Sequence, residues 1–399
     1  MLPYSNIKCL VFANPTPLAS IDTMAFDIAA AMRRLGIGSR IMMCYGSLDF
    51  DIITRLLYDL TYHSGPAFVL DINGRFDLIM GSSNFNDEMN VPKFSFLTDN
   101  PSHLMPRIRL RPETWMYGMV STEHLQYCNL FGLKEEKSVF FPHGGPAPLL
   151  EQRLSQDRDI GILFAGNIQE APPFDEWVHS VFPNSPPLRE AFLNSFEDFC
   201  LPEKNIFSVL ISAIQDTGLQ NEPEELAKIF RLIERYFINR ERIRILSAIK
   251  ENQVTVYGKV PASLEQNLPH HRFMGEQHFV NVMGAMGRSK ISLNIVPSFR
   301  SGGHERMFYA LAYGSLLITD KNAFLHEDEK INPFVNFFPE NLENLDSLLT
   351  DWINNPKRLD NLRPDAVDQY YRRHSWEQRL IPVIEGLDKL YWSKLDFKK

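Results

Sequence analysis

Short apolar runs alternate with amphipathic segments along most of the chain, and the apolar runs end in loops that contain Gly, Pro or polar residues. Residues 7–13 form the first run, helical spacing then extends over 24–35, and another run covers 39–44. A continuous apolar run of this length is typical of a buried parallel strand. Strand, helix and strand in succession form the unit of a doubly wound sheet, so the pattern predicts an α/β fold.

The same alternation predicts two sheets, because one group of apolar runs lies before residue 144 and another lies after residue 158. The stretch between the groups begins with Gly and Pro and continues with polar residues, as linkers do. Further strands of the first group are predicted at 68–71, 78–80, 91–98, 116–121 and 138–141, with a helix at 122–131. Strands of the second group are predicted at 159–165, 254–257, 291–296 and 316–319, with helices at 279–286, 346–353, 358–371 and 376–395.

Residues 172–250 interrupt the alternation. Segments such as 188–199 and 224–249 repeat their apolar positions with a helical period and are charged elsewhere. We therefore predict a helical insertion between the first and second strands of the second sheet. Five of its arginines are expected to form a solvated face. They are Arg231, Arg235, Arg240, Arg242 and Arg244.

A crowd of polar side chains occurs within residues 289–320. The pattern there predicts a strand, a loop with Gly302 and Gly303, a helix over 304–313 that ends at Gly314, and another strand. Free backbone N–H groups at a helix start attract phosphate. The alternative is an ordinary turn with a solvated charged loop, but the side chains gathered there favour an anion site. They are Ser298, Arg300, Ser301, His304, Glu305 and Arg306.

Four motifs follow one another in this region. They are Asn294-Ile-Val-Pro297, Gly303-His304-Glu305-Arg306, Ala310-Leu-Ala-Tyr-Gly314 and Leu317-Ile-Thr-Asp320. With them, residues 279–383 resemble the C-terminal domain of CgeB-like, group 1 type glycosyltransferases of the GT-B fold. Tyr309 departs from the pattern, because many relatives place there a Glu that binds the donor ribose. Either Glu305 takes that role from one helical turn earlier, or the ribose is held differently.

The resemblance implies two Rossmann-like domains, an acceptor-side domain at 1–150 and a donor-binding domain at 151–375, with a C-terminal helix at 376–399 that packs back on the first. It implies transfer of a sugar from a nucleoside diphosphate sugar to a glycan, protein or lipid-linked acceptor. Relatives generally work without a metal or another cofactor, and group 1 type enzymes retain the anomeric configuration. If the configuration is inverted instead, Asp22 or Asp99 becomes the general base.

Two sets of candidate site residues follow from the motifs and the resemblance. The donor-binding candidates are Gly166, Asn167, Arg300, Ser301, Gly302, Gly303, His304, Glu305, Arg306 and Tyr309. The candidates for acid and base assistance are Asp22, Asp99 and His143, each in a loop that follows a predicted strand. Structural interpretations stay open for these three: Asp22 or its neighbour Thr23 would cap a helix, and Asp99 and His143 would be turn residues.

Composition narrows the possible functions. A chain of 399 residues exceeds the usual size of one core, and its hydrophobic content of 44% suffices for two. The net charge of −8 argues against nucleic acid as a partner. No apolar segment approaches the length that crosses a bilayer, so we expect no transmembrane segment. The absence of a GxGxxG sequence argues against a dinucleotide redox cofactor.

Metal-ligand spacings are also absent. The cysteines, Cys9, Cys44, Cys128 and Cys200, show no zinc-type spacing and are expected to be free thiols in a reducing, cytoplasmic compartment. The second predicted domain contains no Asp-x-Asp, and the one at residues 49–51 lies in the first, so we expect no metal site. Two other functions stay open: a non-catalytic nucleotide-sugar-binding protein and a GT-B-fold nucleotide-sugar 2-epimerase.

Overall fold

The structure is a computed structural model of the chain, and it describes residues 4–44, 50–62, 65–77, 79–80, 83–105, 108, 114–149, 151–201, 204–217, 222–326 and 334–394. The strands are β1 (Lys8–Ala13), β2 (Gly38–Met43), β3 (Ala67–Ile72), β4 (Ile79–Met80), β5 (Ser83–Asn84), β6 (Lys93–Leu97), β7 (Trp115–Met119), β8 (Ser138–Phe140), β9 (Ile160–Ala165), β10 (Val254–Tyr257), β11 (Arg272–Phe273), β12 (Ser289–Asn294), β13 (Leu316–Thr319) and β14 (Val335–Phe337). The α-helices are α1 (Ser20–Arg34), α2 (Phe50–Thr61), α3 (Phe85–Glu88), α4 (Thr122–Gln126), α5 (Phe174–Val181), α6 (Pro186–Asn194), α7 (Phe196–Cys200), α8 (Ile206–Ala213), α9 (Pro223–Ala248), α10 (Ala262–Asn267), α11 (Phe279–Met286), α12 (Glu305–Ala312), α13 (Ala323–His326), α14 (Leu345–Asn354), α15 (Pro356–His374) and α16 (Trp376–Leu390).

Two six-stranded sheets organise these elements. Their strand orders are β2-β1-β3-β6-β7-β8 and β11-β10-β9-β12-β13-β14. Neighbouring strands within both sheets are parallel. Parallel strands need crossover connections, and helices supply many of them. The predicted α/β architecture with two Rossmann-like halves is therefore confirmed.

The C-terminal helix α16 belongs to the core of the first half although it follows the second sheet in the chain. Its apolar stripe, which includes Leu380, Ile384 and Leu387, is buried in one cluster with residues of β1, α1 and β6. Burial of three such side chains contributes on the order of 5–9 kcal/mol relative to exposing them. An ion pair between Arg34 of α1 and Glu377 of α16 lies at the same contact. The predicted return of this helix to the first half is confirmed.

The helical insertion comprises α5 to α9 and has an apolar core of its own. Its cluster includes Phe174, Phe207 and Phe237, and it also contains Phe131 from the first half of the chain. The insertion therefore bridges the two halves as well as interrupting the second sheet. Among the described residues, no helix combines the length and the apolar character needed to cross a membrane.

Some elements differ from their predicted bounds. The helix predicted at 122–131 divides into α4 and a 3₁₀ turn at Cys128–Phe131, which Gly132 ends with a φ of 72°. The strand predicted at 78–80 begins at a residue outside the described ranges, and its remainder, β4, pairs only with β5 in a small antiparallel hairpin. The C-terminal helix predicted at 376–395 ends at Leu390, and a 3₁₀ turn follows at Trp392–Lys394; residue 395 lies outside the described residues.

Candidate functional site

The second sheet has a topological switch point between β9 and β12. The chain runs from β9 outward to β10 and β11, then returns to β12 on the other side of β9. The loops after β9 and β12 consequently leave the sheet in opposite directions. In open parallel sheets, the crevice that forms there at the carboxyl ends of the strands is the usual ligand site.

A cavity of about 250 Å³, here called the cleft cavity, lies at this switch point. Three parts of the molecule line it: the loop after β6, the loops after β9 and β12 with the start of α12, and one face of α9. Its lining residues are Asp99, Asn100, His103, Asn167, Gln169, Glu234, Arg235, Ile238, Asn239, Arg242, Val296, Ser298, Phe299 and His304. The cleft cavity therefore brings together both halves and the insertion.

Helix α9 presents one side to the cleft cavity. Arg235, Ile238, Asn239 and Arg242 are spaced i, i+3, i+4 and i+7, which places them on one helical face. Asn239 Oδ1 accepts a hydrogen bond from the Gln169 N–H at 2.8 Å. These contacts fix the helix against the loop after β9.

Arg242 is the most enclosed of these basic residues. Its guanidinium donates to the carbonyl oxygens of Asn167 at 2.6 Å and Ile295 at 3.2 Å, and so joins the loops on both sides of the switch point. Burial, together with the charge of Arg306, lowers the pKa of Arg242 to about 9. Since that value lies above neutral pH, the guanidinium stays charged. The predicted solvated face is wrong for Arg242, and also for Arg231, which donates to the Ser102 carbonyl oxygen.

The first half contributes an acidic and basic group at the opposite wall. Asp99 follows β6 and is open to solvent at the cavity mouth, yet desolvation by the surrounding protein and the nearby carboxylates raise its pKa. His103 pairs through Nε2 with Glu234 of α9. Burial alone would lower the pKa of His103, but the hydrogen bond and charge of Glu234 outweigh that effect and raise it. A carboxyl group and an imidazole, each with a raised pKa, thus lie together on this wall.

At the start of α12, His304 reaches the cleft cavity. Its Nδ1 lies 2.9 Å from Glu305 Oε2, and burial lowers the pKa of the imidazole to about 4, so the ring is neutral at pH 7. Burial alone would raise the pKa of Glu305, but its interactions with His304, hydrogen bond included, and with His143 and Arg306 outweigh that effect and lower the pKa below its usual range. Glu305 is therefore a mostly buried carboxylate that stays ionised, and it lies beside the cavity wall rather than in it.

The remaining donor-binding candidates mostly contact protein. Arg306 donates to the Ala165 carbonyl oxygen, and a Cβ added to Gly166 would lie 2.8 Å from Arg306 Nη1. Gly302 pairs with Ser121 of the first half in an isolated antiparallel bridge. Ser301 Oγ lies 2.8 Å from Ser121 Oγ and accepts from the Glu123 N–H at 3.2 Å.

Three further candidates are held away from the cleft cavity. A Cβ on Gly303 would overlap the ring of Phe308, so glycine is required there. Arg300 donates to the carbonyl oxygens of Leu201 and Lys204 in the insertion. Tyr309 is fully buried, and its hydroxyl donates to Asp27 of α1. Of the ten donor-binding candidates, Asn167 and His304 line the cleft cavity.

The acid-base candidates separate in the same way. Asp99 lines the cleft cavity, whereas His143 is fully buried behind it, with Nε2 lying 3.0 Å from the Thr98 carbonyl oxygen and 3.8 Å from Glu305. Asp22 accepts a hydrogen bond from the Thr16 N–H at 2.9 Å and stabilises the loop before α1. The N-cap of α1 is Ala19, with a φ of 55°, so neither Asp22 nor Thr23 occupies the capping position.

Arg235, Asn239, Glu234 and Arg242 were not among the site residues predicted from the sequence. Arg235, Asn239 and Arg242 could have been identified from their helical spacing on one side of α9, opposite the apolar side that the insertion buries. Among the described residues, no group of three or more His, Cys, Asp or Glu side chains is arranged to hold a metal ion. The Asp-x-Asp sequence at 49–51 lies outside the part of the chain whose side chains the structure describes.

Comparisons with known proteins bear on the fold and on part of the chain. Residues 240–385, somewhat over a third of the chain, match the model of a family described as glycosyl transferase-like. No curated protein matches the chain. HepE of Anabaena, solved in complex with UDP and glucose, is 9% identical over 96% of this chain and 99% of its own, with a TM-score of 0.51. Sucrose-phosphate synthase of Thermosynechococcus elongatus is 9% identical over 97% of this chain and 100% of its own, with a TM-score of 0.53.

Likeness at this low identity extends over nearly the whole chain, and it shows the fold. The chain has the GT-B glycosyltransferase fold, with two facing Rossmann-like halves. The matched family region contains the last third of α9 and all of α12, so Arg242 and the His304-Glu305-Arg306 motif both lie in it.

Proposed function

We propose that this protein is a glycosyltransferase that moves a sugar from a nucleoside diphosphate sugar to an acceptor hydroxyl. The observation that carries the proposal is the cleft cavity, which lies at the switch point of the second sheet and has cationic side chains on one wall and acid-base groups on the other. This arrangement supports the proposal, because glycosyl transfer requires a place for the leaving diphosphate and a place for an acceptor.

The diphosphate would be bound chiefly by α9. As the bond to the sugar breaks, negative charge grows on the leaving diphosphate, and a guanidinium aimed at that charge lowers the barrier. Arg242 is fixed by two carbonyl acceptors and still lines the cleft cavity, and Arg235 adds a second positive charge about two turns earlier on the same face. Neutral His304, at the N-terminus of α12, would contribute contact surface rather than a hydrogen bond, because Nδ1 already bonds to Glu305 and Nε2 accepts from Arg306.

The acceptor would approach from the first half. Its hydroxyl must lose a proton as it attacks, and Asp99, with its raised pKa at the cavity mouth, is placed to accept or relay that proton. His103, held by Glu234, would orient the acceptor and balance the charge of Asp99. Asp22 and His143 are instead engaged in structural contacts, so the proposal gives them no direct role.

Several finer properties belong to the same proposal. We propose that the reaction retains the anomeric configuration and needs no metal, since guanidinium groups can neutralise the diphosphate. The transferred group would be a hexose and the enzyme a CgeB-like member of the group 1 type, built from domains at 1–150 and 151–375 with the C-terminal segment 376–399. A cytoplasmic location is proposed as well, and it fits the finding that no disulfide bond joins cysteines in the described part of the chain.

The size of the cleft cavity adds a conformational step. Pockets for drug-sized ligands have volumes of about 300–1,000 Å³, and the cleft cavity has about 250 Å³. We infer that a whole nucleoside diphosphate sugar needs more room than this, and that the halves separate when it enters. The contacts of Ser301, Gly302 and Tyr309 with the first half are among those that such an opening would break.

A panel of nucleotide sugars tests the proposal. Because HepE was solved with UDP and glucose, UDP-glucose is the first donor, followed by UDP-galactose, GDP-mannose and dTDP-glucose. We expect at least one donor to release its nucleoside diphosphate in the presence of chelator, through transfer or slow hydrolysis, and NMR of the product would report the anomeric configuration. Failure of every donor to bind or react would overturn the proposal.

One observation favours a second candidate function. Tyr309 occupies the position at which related sequences are expected to have a ribose-binding Glu, and it is buried against Asp27 instead. A protein without this contact to the donor could bind nucleotide sugars without turning them over. Binding of a donor with no product over many hours, even with a broad set of sugar acceptors, would favour this non-catalytic role.

A further inference from the structure

A second cavity, of about 490 Å³, lies next to α9 and is larger than the cleft cavity. Side chains of α7 and α9 bound it on one side, and the loops after β12, β13 and β14 bound it on the other. It therefore lies at the carboxyl edge of the second sheet, but away from the switch point. The two cavities have no lining residue in common.

The period of α9 separates the two cavities. Positions 235, 238, 239 and 242 face the cleft cavity, whereas positions 237, 240, 241, 244 and 245 face the second cavity. The loop after β12 divides in the same way, since Val296 and Ser298 line the first and Pro297 and Arg300 line the second. A ligand in the second cavity would therefore not occupy the space of a ligand in the cleft cavity.

Positive charge predominates in the second cavity. Four cationic side chains and three carboxylates line the second cavity. One of the carboxylates, Glu241, pairs with two guanidinium groups. Arg244 Nη2 lies 2.7 Å from Glu241, while Arg240 Nη1 lies 3.4 Å from it. Burial raises the pKa of Asp320, another of the three, to about 7, so this carboxyl carries only part of its charge at neutral pH. The four cations are Arg240, Arg244, Arg300 and Lys321.

The opposite part of the lining is apolar. Phe199, Phe237 and Ile245 are buried and expose their edges to the cavity together with Phe338. Guanidinium groups bind phosphate through paired hydrogen bonds, and an apolar wall favours a hydrocarbon or aromatic body. The lining thus matches a molecule that has both parts.

We propose that the second cavity is a binding site, separate from the cleft, for a phosphate ester that has an apolar body. Arg240 and Arg244 would bind the phosphate, with Lys321 at the rim, and the phenylalanines would contact the apolar body. The body could be a short aromatic group or an aliphatic chain, which share this chemistry. The inference does not depend on the proposed transferase activity, because the two cavities are lined by different residues.

Isothermal titration of the full chain with phenyl phosphate, decyl phosphate and inorganic phosphate tests the site. We expect one of the two esters to bind at least tenfold more tightly than inorganic phosphate, with a dissociation constant that saturating UDP leaves unchanged. Tighter binding of phenyl phosphate would indicate an aromatic ligand, and tighter binding of decyl phosphate would indicate a lipid-like ligand. Absence of binding by both esters, or their competition with UDP, would overturn the proposal.

Substitutions in the lining of the second cavity test where the phosphate esters bind. The double substitution R240Q/R244Q should weaken ester binding at least tenfold, while R372Q, at an exposed arginine that pairs with one carboxylate on α15, should leave it unchanged. K321Q, at an exposed position, should weaken binding about threefold and serves if the double variant folds poorly. Ester binding that is the same in wild type, R240Q/R244Q and K321Q would place the ligand elsewhere and refute the site. UDP binding by these variants reports on the cleft separately.

Discussion

The start of α12 (residues 300–306) and the cleft-facing side of α9 both contain arginines and both lie near the switch point, but they make different contacts. At the start of α12, Arg306 donates to the Ala165 carbonyl oxygen and Ser301 bonds to the first half. On α9, Arg235 and Arg242 line the cleft cavity. The first region therefore chiefly joins parts of the protein, although His304 also lines the cavity, whereas the second presents charge to the cavity, although Arg242 also bonds to two loops.

A dense polar motif therefore need not be the surface that a ligand contacts. Residues 300–306 are close in sequence because they form one tight loop, and a tight loop between two halves uses its own donors and acceptors. The side chains of α9 are spread over two turns and form a surface only after the helix has docked. Substitutions should accordingly affect ligand binding on α9 and stability at the start of α12.

The largest expected effect is that of Arg242→Ala on ligand binding. Loss of a guanidinium that contacts a diphosphate in an enclosed site should lower the affinity for UDP about 100- to 1,000-fold, or about 3–4 kcal/mol. Isothermal titration measures this change. Lys228→Ala, an exposed position on the same helix, is the matched control and should leave UDP affinity unchanged. An Arg242→Ala protein that is folded and binds UDP normally would remove α9 from the site.

The order of residues indicates the fold far more fully than it indicates the contacts around the cleft cavity, and the reason is physical. Apolar runs such as 7–13 and 316–319 form buried strands because of their local apolar pattern and their burial. The order of residues indicates both the pattern and the burial. Arg242 became a cavity residue because its helix docks between loops that are 75 and 53 residues away in the chain. Tyr309 likewise met Asp27 across 282 residues. Such contacts follow from tertiary packing, which a single sequence does not display.

The next largest effect is that of Arg306→Ala on stability. The substitution leaves the Ala165 carbonyl without its donor and deprives the buried Glu305 carboxylate of a nearby positive charge, so the free energy of unfolding should fall by about 2–4 kcal/mol. Urea denaturation measures the loss. If Arg306 binds the donor, as its place among the donor-binding candidates implies, the substitution would instead abolish turnover and leave the fold intact.

A second variant separates these outcomes. Adding Glu305→Gln to Arg306→Ala removes the unpaired charge and should restore at least about 1 kcal/mol of the lost stability. If Arg306→Ala instead leaves stability unchanged and abolishes UDP binding, the start of α12 contacts the ligand. The start of α12 and the cleft-facing side of α9 would then not differ in role.

A smaller effect, dependent on pH, is expected where α12 meets α1. Burial raises the pKa of Asp27 to about 6, although the hydrogen bond from Tyr309 acts in the opposite direction. Because an unfolded Asp has a pKa of about 3.9, the folded state binds the proton more tightly, and this stabilisation is lost as pH rises from about 4 to about 6. Asp27→Asn does not titrate at this position. Its stability relative to wild type should increase by about 1–2 kcal/mol between pH 4 and pH 7, as measured by urea denaturation. A pH-independent difference would contradict the raised pKa.

The smallest effect is expected from Ser301→Ala, which removes the side-chain contacts between the α12 start and the first half. Loss of the hydrogen bonds to Ser121 Oγ and from the Glu123 N–H should lower stability by about 1 kcal/mol. If the halves must separate before UDP enters, the same loss makes opening easier, and UDP affinity should rise by up to about fivefold. Ser180→Ala, at an exposed serine of α5 that bonds only within its helix among the described residues, is the control for both measurements. A fall in UDP affinity in Ser301→Ala would show that this loop contacts the ligand. Loss of a contact that only holds the two halves together would not weaken UDP binding.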